Sequence, residues 1–483
     1  MLFNSLEFAI FFPVVTILYF LLPVKYRWVL LFVASCIFYC FFIPVYILIL
    51  FLTIGIDYLA GIWIENAIDQ KSKKFLLLLS IVSNVGVLAF FKYYNFFVDS
   101  INAFSVPFFQ HEIPLLGIIL PIGLSFHTFQ AMSYTIEVYR GNFKAERHLG
   151  YYALYVMYYP QLVAGPIERP QNVLPQLRLA HGFDYDRIRS GLLLMVIGLF
   201  KKVVIADRLG EVVDRVFKNP QDFEGATILI SLVFFSIQIY CDFSGYSDIA
   251  IGASRVMGIS LMKNFNAPYL SKSIEEFWSR WHISLSTWFR DYLYIPLGGN
   301  RVKVPRWYLN LTIVFLVSGL WHGANWTFVV WGGLHAFYLI VGLITKPWRI
   351  HVLNRLQINS QHYFYRAINI AFTFSLVTFA WVFFRSDSLN EASLIIRQVG
   401  HKFLTGSIAR NLELAGLSIS RLVLCLSLIA GLIGSEYLVS RYKLDESFFK
   451  SRALLRWSFY LFIFVMIFFF GVAGKEQFIY FQF

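Results

Sequence analysis

Long apolar runs broken by short polar punctuation dominate this chain from end to end. A first run covers residues 6–22, and the charge-poor stretch 29–56 is longer than one bilayer crossing, which takes roughly 20 apolar residues. That stretch divides naturally into two helices meeting at Ile43-Pro44. Further runs follow at residues 75–91, 115–136, 192–205, 228–251, 309–320, 326–344, 368–384, 422–433 and beyond, and 457–472. The pattern predicts an all-α polytopic membrane protein of about eleven transmembrane helices, with no soluble domain large enough to act alone. It also predicts a single membrane-embedded domain over residues 1–483, within which no internal repeat is evident.

Three stretches break the rhythm. Residues 92–114 read as a segment outside the membrane between two spans. Residues 151–163 are apolar and aromatic but interrupted by Pro160 and followed by Ala164-Gly165-Pro166. Broken backbone at membrane depth needs protein or water to cover it, so a broken or re-entrant helix is expected there. Residues 268–306 mix Trp278, Trp281, Trp288, Tyr292 and Tyr294 with Arg280, Arg290 and Asp291. Rings beside cations favour the headgroup layer, which predicts an interfacial or re-entrant element ending at Gly298-Gly299-Asn300.

Charge adds orientation. Lys25 and Arg27, then Lys71, Lys73 and Lys74, then Arg140, Lys144 and Arg147 fall in alternate loops. By the positive-inside rule those loops are cytoplasmic and the N-terminus lies outside. The excess of 41 Lys and Arg over 28 Asp and Glu is divided among short loops and not gathered on a soluble face, which argues against nucleic acid. Membrane lipids are the expected surroundings. The first run has no basic flank before it and no small-residue cleavage site, so it reads as a retained helix. A multi-pass plasma membrane protein of a bacterium is expected, in the inner membrane if the cell is Gram-negative. Cys36, Cys40, Cys241 and Cys425 lie in or beside apolar runs and form no C-x-x-C pair.

Holding a charge at membrane depth costs about 2.5 to 3.5 kcal/mol, so polar residues inside the runs are informative. The densest group is Ser318-Gly319-Leu320-Trp321-His322-Gly323-Ala324-Asn325-Trp326, in the 307–345 segment. A neutral imidazole at His322 can take a proton from a hydroxyl without a prior buried charge. The alternative is an intramembrane histidine serving a helix–helix hydrogen bond. His282, on a helix, would share a face with Trp278, Ser279, Ser286 and Phe289, and is either a second chemical group or an interfacial histidine among tryptophans. His335 and His127 are candidates for lining the same cavity, with core packing as the simpler account. Asp242 and Asp248 are intramembrane acids that six residues of helix do not place on one face unless Ser244-Gly245 kinks it. No metal site is expected, and H-E-x-x-H, G-x-S-x-G and the ATP-binding P-loop are absent.

The stretches LPIGLSF, AGPIERP, YCDFSGYSDIAIG, NFNAPYLSKSIEEFWSRWHISLSTWFRDYLYIPLGGNR, GLWHGANWTFVVWGGLH and FIYFQF occur in order from the first third to the last residue. Together they closely resemble the membrane-bound O-acyltransferase family, in its bacterial alginate-acetylating branch. The resemblance implies a ring of helices around a thin centre reached by a funnel, with an essential histidine at His322 and a second at His282. Relatives in the alginate branch more often carry an aromatic residue where this chain has His127.

The resemblance further implies transfer of acetyl groups from cytoplasmic acetyl-CoA, as a substrate and not a bound cofactor, for O-acetylation of an exopolysaccharide such as alginate or cellulose. A carrier-protein thioester is the alternative donor. Arg280, Arg290 and Arg301 suit the coenzyme A phosphates by charge, unless they serve lipid headgroups or pair with Asp291. Asn325 belongs to the same set of tunnel or donor candidates. An extracytoplasmic acyltransferase or esterase-like partner and the polysaccharide machinery are the expected associates. D-alanyl transfer to teichoic acid, peptidoglycan O-acetylation, and from another class a transporter or flippase, are the competing readings.

Overall fold

The computed structural model describes residues 1–109, 112–401, 403, 408–442, 452–472 and 478–479, and among them every regular element is helical. Seven helices among the described residues are long and apolar enough to cross a membrane: Pro44–Asn66, Gln70–Ala103, Gly225–Val256, Trp326–Arg355, Tyr363–Arg385, Ile419–Tyr442 and Ala453–Phe470. Leu6–Leu21 is a shorter apolar helix. The chain is an all-α multi-pass membrane protein. The described residues fall into two compact units, one of Met1–Val196 with Tyr246–Lys263, the other of Ile197–Gly245 with Asn264–Ile479.

In the first unit, α1 (Leu6–Leu21) and α2 (Val24–Cys40) are separated by Pro23, and a turn at Pro44–Tyr46 leads into α3 (Ile47–Asn66), as the sequence pattern predicts. Asp69 accepts the Ser72 amide at 2.8 Å and so starts α4 (Gln70–Leu88). The expected external segment at 92–114 is not found. A π-helical turn at Ala89–Tyr93 carries α4 directly into α5 (Tyr94–Phe109), because nothing between Phe90 and Tyr94 breaks a helix and one lysine does not stop it.

The next helix, α6 (Leu124–Tyr139), begins nine residues later than expected. Pro114, Pro121 and Gly123 keep the preceding apolar stretch non-helical, and Gly123 sits at φ 80°, where a Cβ would come within 2.8 Å of the Leu162 carbonyl. Two asparagines of the preceding helix satisfy that stretch. Asn95 accepts the Leu116 amide at 3.0 Å and donates to its carbonyl at 2.9 Å, and Asn102 does the same for Ile113. Buried Asp57 on α3 accepts from Ser80 Oγ at 2.6 Å and Asn84 Nδ2 at 2.8 Å, both on α4, so a polar clasp joins these helices.

The broken element is also present. α7 (Leu149–Met157) gives way to turns through Gly165, and the Tyr155 carbonyl accepts Gln130 Nε2 at 2.6 Å and Gln161 Nε2 at 2.7 Å. α8 (Pro170–Leu177) follows, and then α9 (Tyr185–Phe200).

The second unit continues through a π-helical turn at Lys201–Ala206 into α10 (Asp207–Lys218) and takes in the first part of α11 (Gly225–Val256). α11 is helical through Ser244-Gly245, so Asp242 and Asp248 face different ways: Asp242 belongs to this unit and Asp248 to the first. The 268–306 segment holds two short helices, α12 (Ile274–Arg280) and α13 (Ile283–Phe289), and ends in turns at Gly298 and Gly299, with φ of 103° and 57°. After them come α14 (Val304–His322), α15 (Trp326–Arg355), α16 (Tyr363–Arg385), α17 (Leu389–His401), α18 (Ile408–Leu414), α19 (Ile419–Tyr442) and α20 (Ala453–Phe470).

Small residues set the α14–α15 approach. A Cβ on Gly319 would collide with the Phe328 carbonyl, and one on Gly332 with the Phe315 carbonyl. Such close packing of backbones is how helices associate where the hydrophobic effect offers no drive. It fixes the end of α14, and therefore His322, against the start of α15.

Candidate functional site

His322 is the last residue of α14. Gly323 is extended, and Asn325 opens α15 by accepting the Thr327 amide at 3.0 Å while its Nδ2 donates to the Asp387 carbonyl at 2.8 Å. The break between the helices is thus held at both sides. The His322 ring is enclosed by Trp321 and Trp331, each 5.0 Å away by centroid, and by Phe384 at 5.5 Å.

His282 is not on a helix face as the spacing suggested. It occupies the junction between α12 and α13 in the left-handed region, at φ 44° and ψ 54°. The Trp281–His282 break turns the ring away from the Trp278 and Ser286 face and onto Phe243, 4.7 Å distant and edge-on. A non-glycine residue held there costs on the order of 1 kcal/mol or more, so its surroundings must hold it. They do so through Asn264. Its backbone carbonyl accepts the Ile283 amide at 2.9 Å, and its Oδ1 accepts the Ser284 amide at 3.2 Å and the Ser284 hydroxyl at 2.9 Å. His282 Nδ1 meets the same oxygen at 3.2 Å.

The consequence is that His282 and His322, 40 residues apart in sequence, have ring centroids 6.4 Å apart in a buried aromatic setting. Two neutral imidazoles so placed can divide the work of accepting and delivering a proton.

The remaining candidates are placed as follows. His335 is fully buried, receives a hydrogen bond on Nδ1 from Trp278 Nε1 at 3.2 Å, and stacks near-parallel to Phe277 and Phe315. It touches Trp331 at 5.0 Å, so one indole contacts both His335 and His322. Asp242 forms a buried ion pair with Lys202 Nζ at 2.6 Å, and Lys202 also meets Asp207 at 2.8 Å. The Ile479 amide donates to Asp242 Oδ2 at 2.6 Å. Of the terminal FIYFQF stretch, Phe478 and Ile479 are described; residues 480–483 lie outside the described residues.

Arg280 pairs with Glu276 at 2.7 Å and Arg290 with Asp291 at 2.8 Å. In the first unit, His127 Nε2 hydrogen-bonds with Thr53 Oγ1 at 2.6 Å, and Asp248 is half-buried. Asn264 is the residue that reading the sequence overlooks. It caps a helix eighteen positions downstream, and no local spacing announces that.

A helical membrane protein with two buried histidines facing each other across WHG and RWHIS stretches can be compared with known proteins. The family model described as MBOAT, membrane-bound O-acyltransferase family, matches residues 143–385, which contain both histidines. The chain is 40% identical over 435 residues to the probable alginate O-acetylase AlgI of Pseudomonas putida, covering 88% of this chain and 85% of that protein. The chain belongs to the membrane-bound O-acyltransferase family.

This O-acyltransferase is also 35% identical over 431 residues to the peptidoglycan O-acetyltransferase of Helicobacter pylori, covering 82% of this chain and 79% of the relative. It is 28% identical over 260 residues to the teichoic acid D-alanyltransferase of Bacillus subtilis, covering 50% and 64%. As a member of the family, it transfers an acyl group to an oxygen acceptor and does so within the membrane.

Proposed function

We propose that this protein takes acetyl groups from cytoplasmic acetyl-CoA and passes them on for O-acetylation of an exopolysaccharide such as alginate or cellulose. The observation carrying the chemical part is the buried pair His282 and His322. One imidazole removes the proton from an acceptor hydroxyl as its oxygen attacks the thioester carbonyl. The carbon–sulfur bond then breaks, and the proton passes to the departing thiolate, giving the ester and free coenzyme A. The other imidazole carries the proton or donates to the carbonyl oxygen as it gains charge.

The acetyl and polysaccharide parts are supported by identity to the alginate O-acetylase over 88% of the chain, against half of it for the D-alanyltransferase. The N-terminus lies outside, and the basic loops face the cytoplasm, where they meet the phosphates of the donor. In a Gram-negative cell this is the inner membrane. A separate extracytoplasmic acyltransferase receives the acetyl group and modifies the polymer.

The test is transfer of label from acetyl-CoA to envelope polymer or partner protein in membranes holding the intact protein or His322→Ala. Label that depends on His322 supports the reading, and its location identifies the acceptor. Equal labelling with both proteins would remove His322 from the chemistry. No labelling with either, both being folded and the partner fraction present, would make acetyl-CoA the wrong donor.

A further inference from the structure

Asn264 has only one way to be oriented. The Ser284 backbone N–H points at its side chain at 3.2 Å, and a backbone N–H can only donate, so the atom it meets is the carbonyl oxygen and not the amide nitrogen. The Ser284 hydroxyl donates to that oxygen as well, at 2.9 Å. His282 Nδ1 approaches the same oxygen at 3.2 Å. An oxygen has no proton to give, so the bond exists only if Nδ1 carries hydrogen. In the neutral ring, Nε2 is then the basic nitrogen.

We propose that Asn264 is a positioning residue that locks His282 in the Nδ1–H tautomer and presents Nε2 as its reactive nitrogen in acyl transfer. The two supports are independent of the ring itself. The oxygen is fixed by the amide of the residue two positions after His282, and the Asn264 main chain accepts the Ile283 amide at 2.9 Å. The first turn of α13 and the imidazole before it are therefore anchored to one buried residue, which also stabilises the left-handed backbone at His282. Positioning of this kind resembles the role of the group behind any catalytic histidine: it selects which nitrogen reacts. The functional half rests on His282 taking part in the transfer proposed above.

The experiment uses the full chain in bilayers with ¹⁵N-labelled histidine, the His282 signals being assigned by their loss in His282→Gln. The intact protein is expected to show His282 protonated at Nδ1 and bare at Nε2, and Asn264→Ala to shift it toward the other tautomer. Signals showing hydrogen on Nε2 in the intact protein would overturn the assignment. Asn264→Asp keeps an acceptor for all three donors and guards against misfolding in the alanine variant. Its carboxylate beside the ring holds the imidazole protonated to higher pH, so the acid limb of the transfer rate moves up by about one pH unit or more. A rate lowered equally at every pH would mean that Asn264 is structural only. If the tautomer is as assigned but His282→Gln transfers normally, the role of His282 in the chemistry fails while the tautomer stands.

Discussion

Trp331 meets His322 edge to face, with ring centroids 5.0 Å apart and planes at 86°. The indole is completely buried and reaches His335 at the same distance, so it forms a wall of the site and a part of the core at once. Replacing it with alanine empties a large volume and should cost about 3 to 5 kcal/mol of stability. Trp331→Phe keeps a ring there and should leave the folded fraction nearly intact while lowering acyl transfer. Thermal stability in detergent and transfer rate, measured on the same samples, separate the two effects.

Gly319 has no room for a side chain against the Phe328 carbonyl. Gly319→Val should drive α14 from α15 and displace His322, three residues later on the same helix. Loss of transfer is expected together with lowered stability. A valine at Gly342, where no atom lies within 4 Å of an added Cβ, is the control and should change neither.

How much of this was legible beforehand depends on whether the cause is local. The positions of α3, α14, α15 and α16 follow from apolar runs with clear stops, and the sequence pattern predicts each within a few residues of where its core lies. The failure at 92–114 came from treating Lys92 as a membrane boundary, although a helix ends by its backbone chemistry and none of the nearby residues interrupts it. The late start of α6 reflects Gly123 and its approach to Leu162, a tertiary contact that periodicity does not contain. His322 was readable because glycines and aromatics crowd around a lone intramembrane histidine. The geometry at His282 was not, because a left-handed junction and its anchor at Asn264 arise only when two segments meet.

Lys202 is held between Asp207 and Asp242 with all three side chains almost wholly buried. Removing one member leaves a charge without compensation, whereas replacing the set with apolar groups need not be harmful. Lys202→Met alone should therefore destabilise the protein by about 3 to 5 kcal/mol. Adding Asp207→Asn and Asp242→Asn to it should recover part of that loss. The Ile479 amide bond to Asp242 predicts that the single change Asp242→Ala also loosens the chain around Ile479, measurable as faster amide exchange there.

The pair His282 and His322 makes the sharpest prediction about the chemistry. If the two rings act on one proton path, removing either breaks the same path, and the second removal has little left to break. His322→Ala and His282→Gln should each lower transfer by about a hundredfold or more. The double variant should then be close to the worse single one instead of showing the product of the two losses, as happens where residues act as a unit. Losses that multiply would mean that the histidines contribute separately, one to chemistry and the other to holding the aromatic cluster around Trp321. Trp278→Phe supplies the comparison: it removes the donor to His335 Nδ1, and should cost about 1 to 3 kcal/mol of stability without changing how His282 and His322 combine.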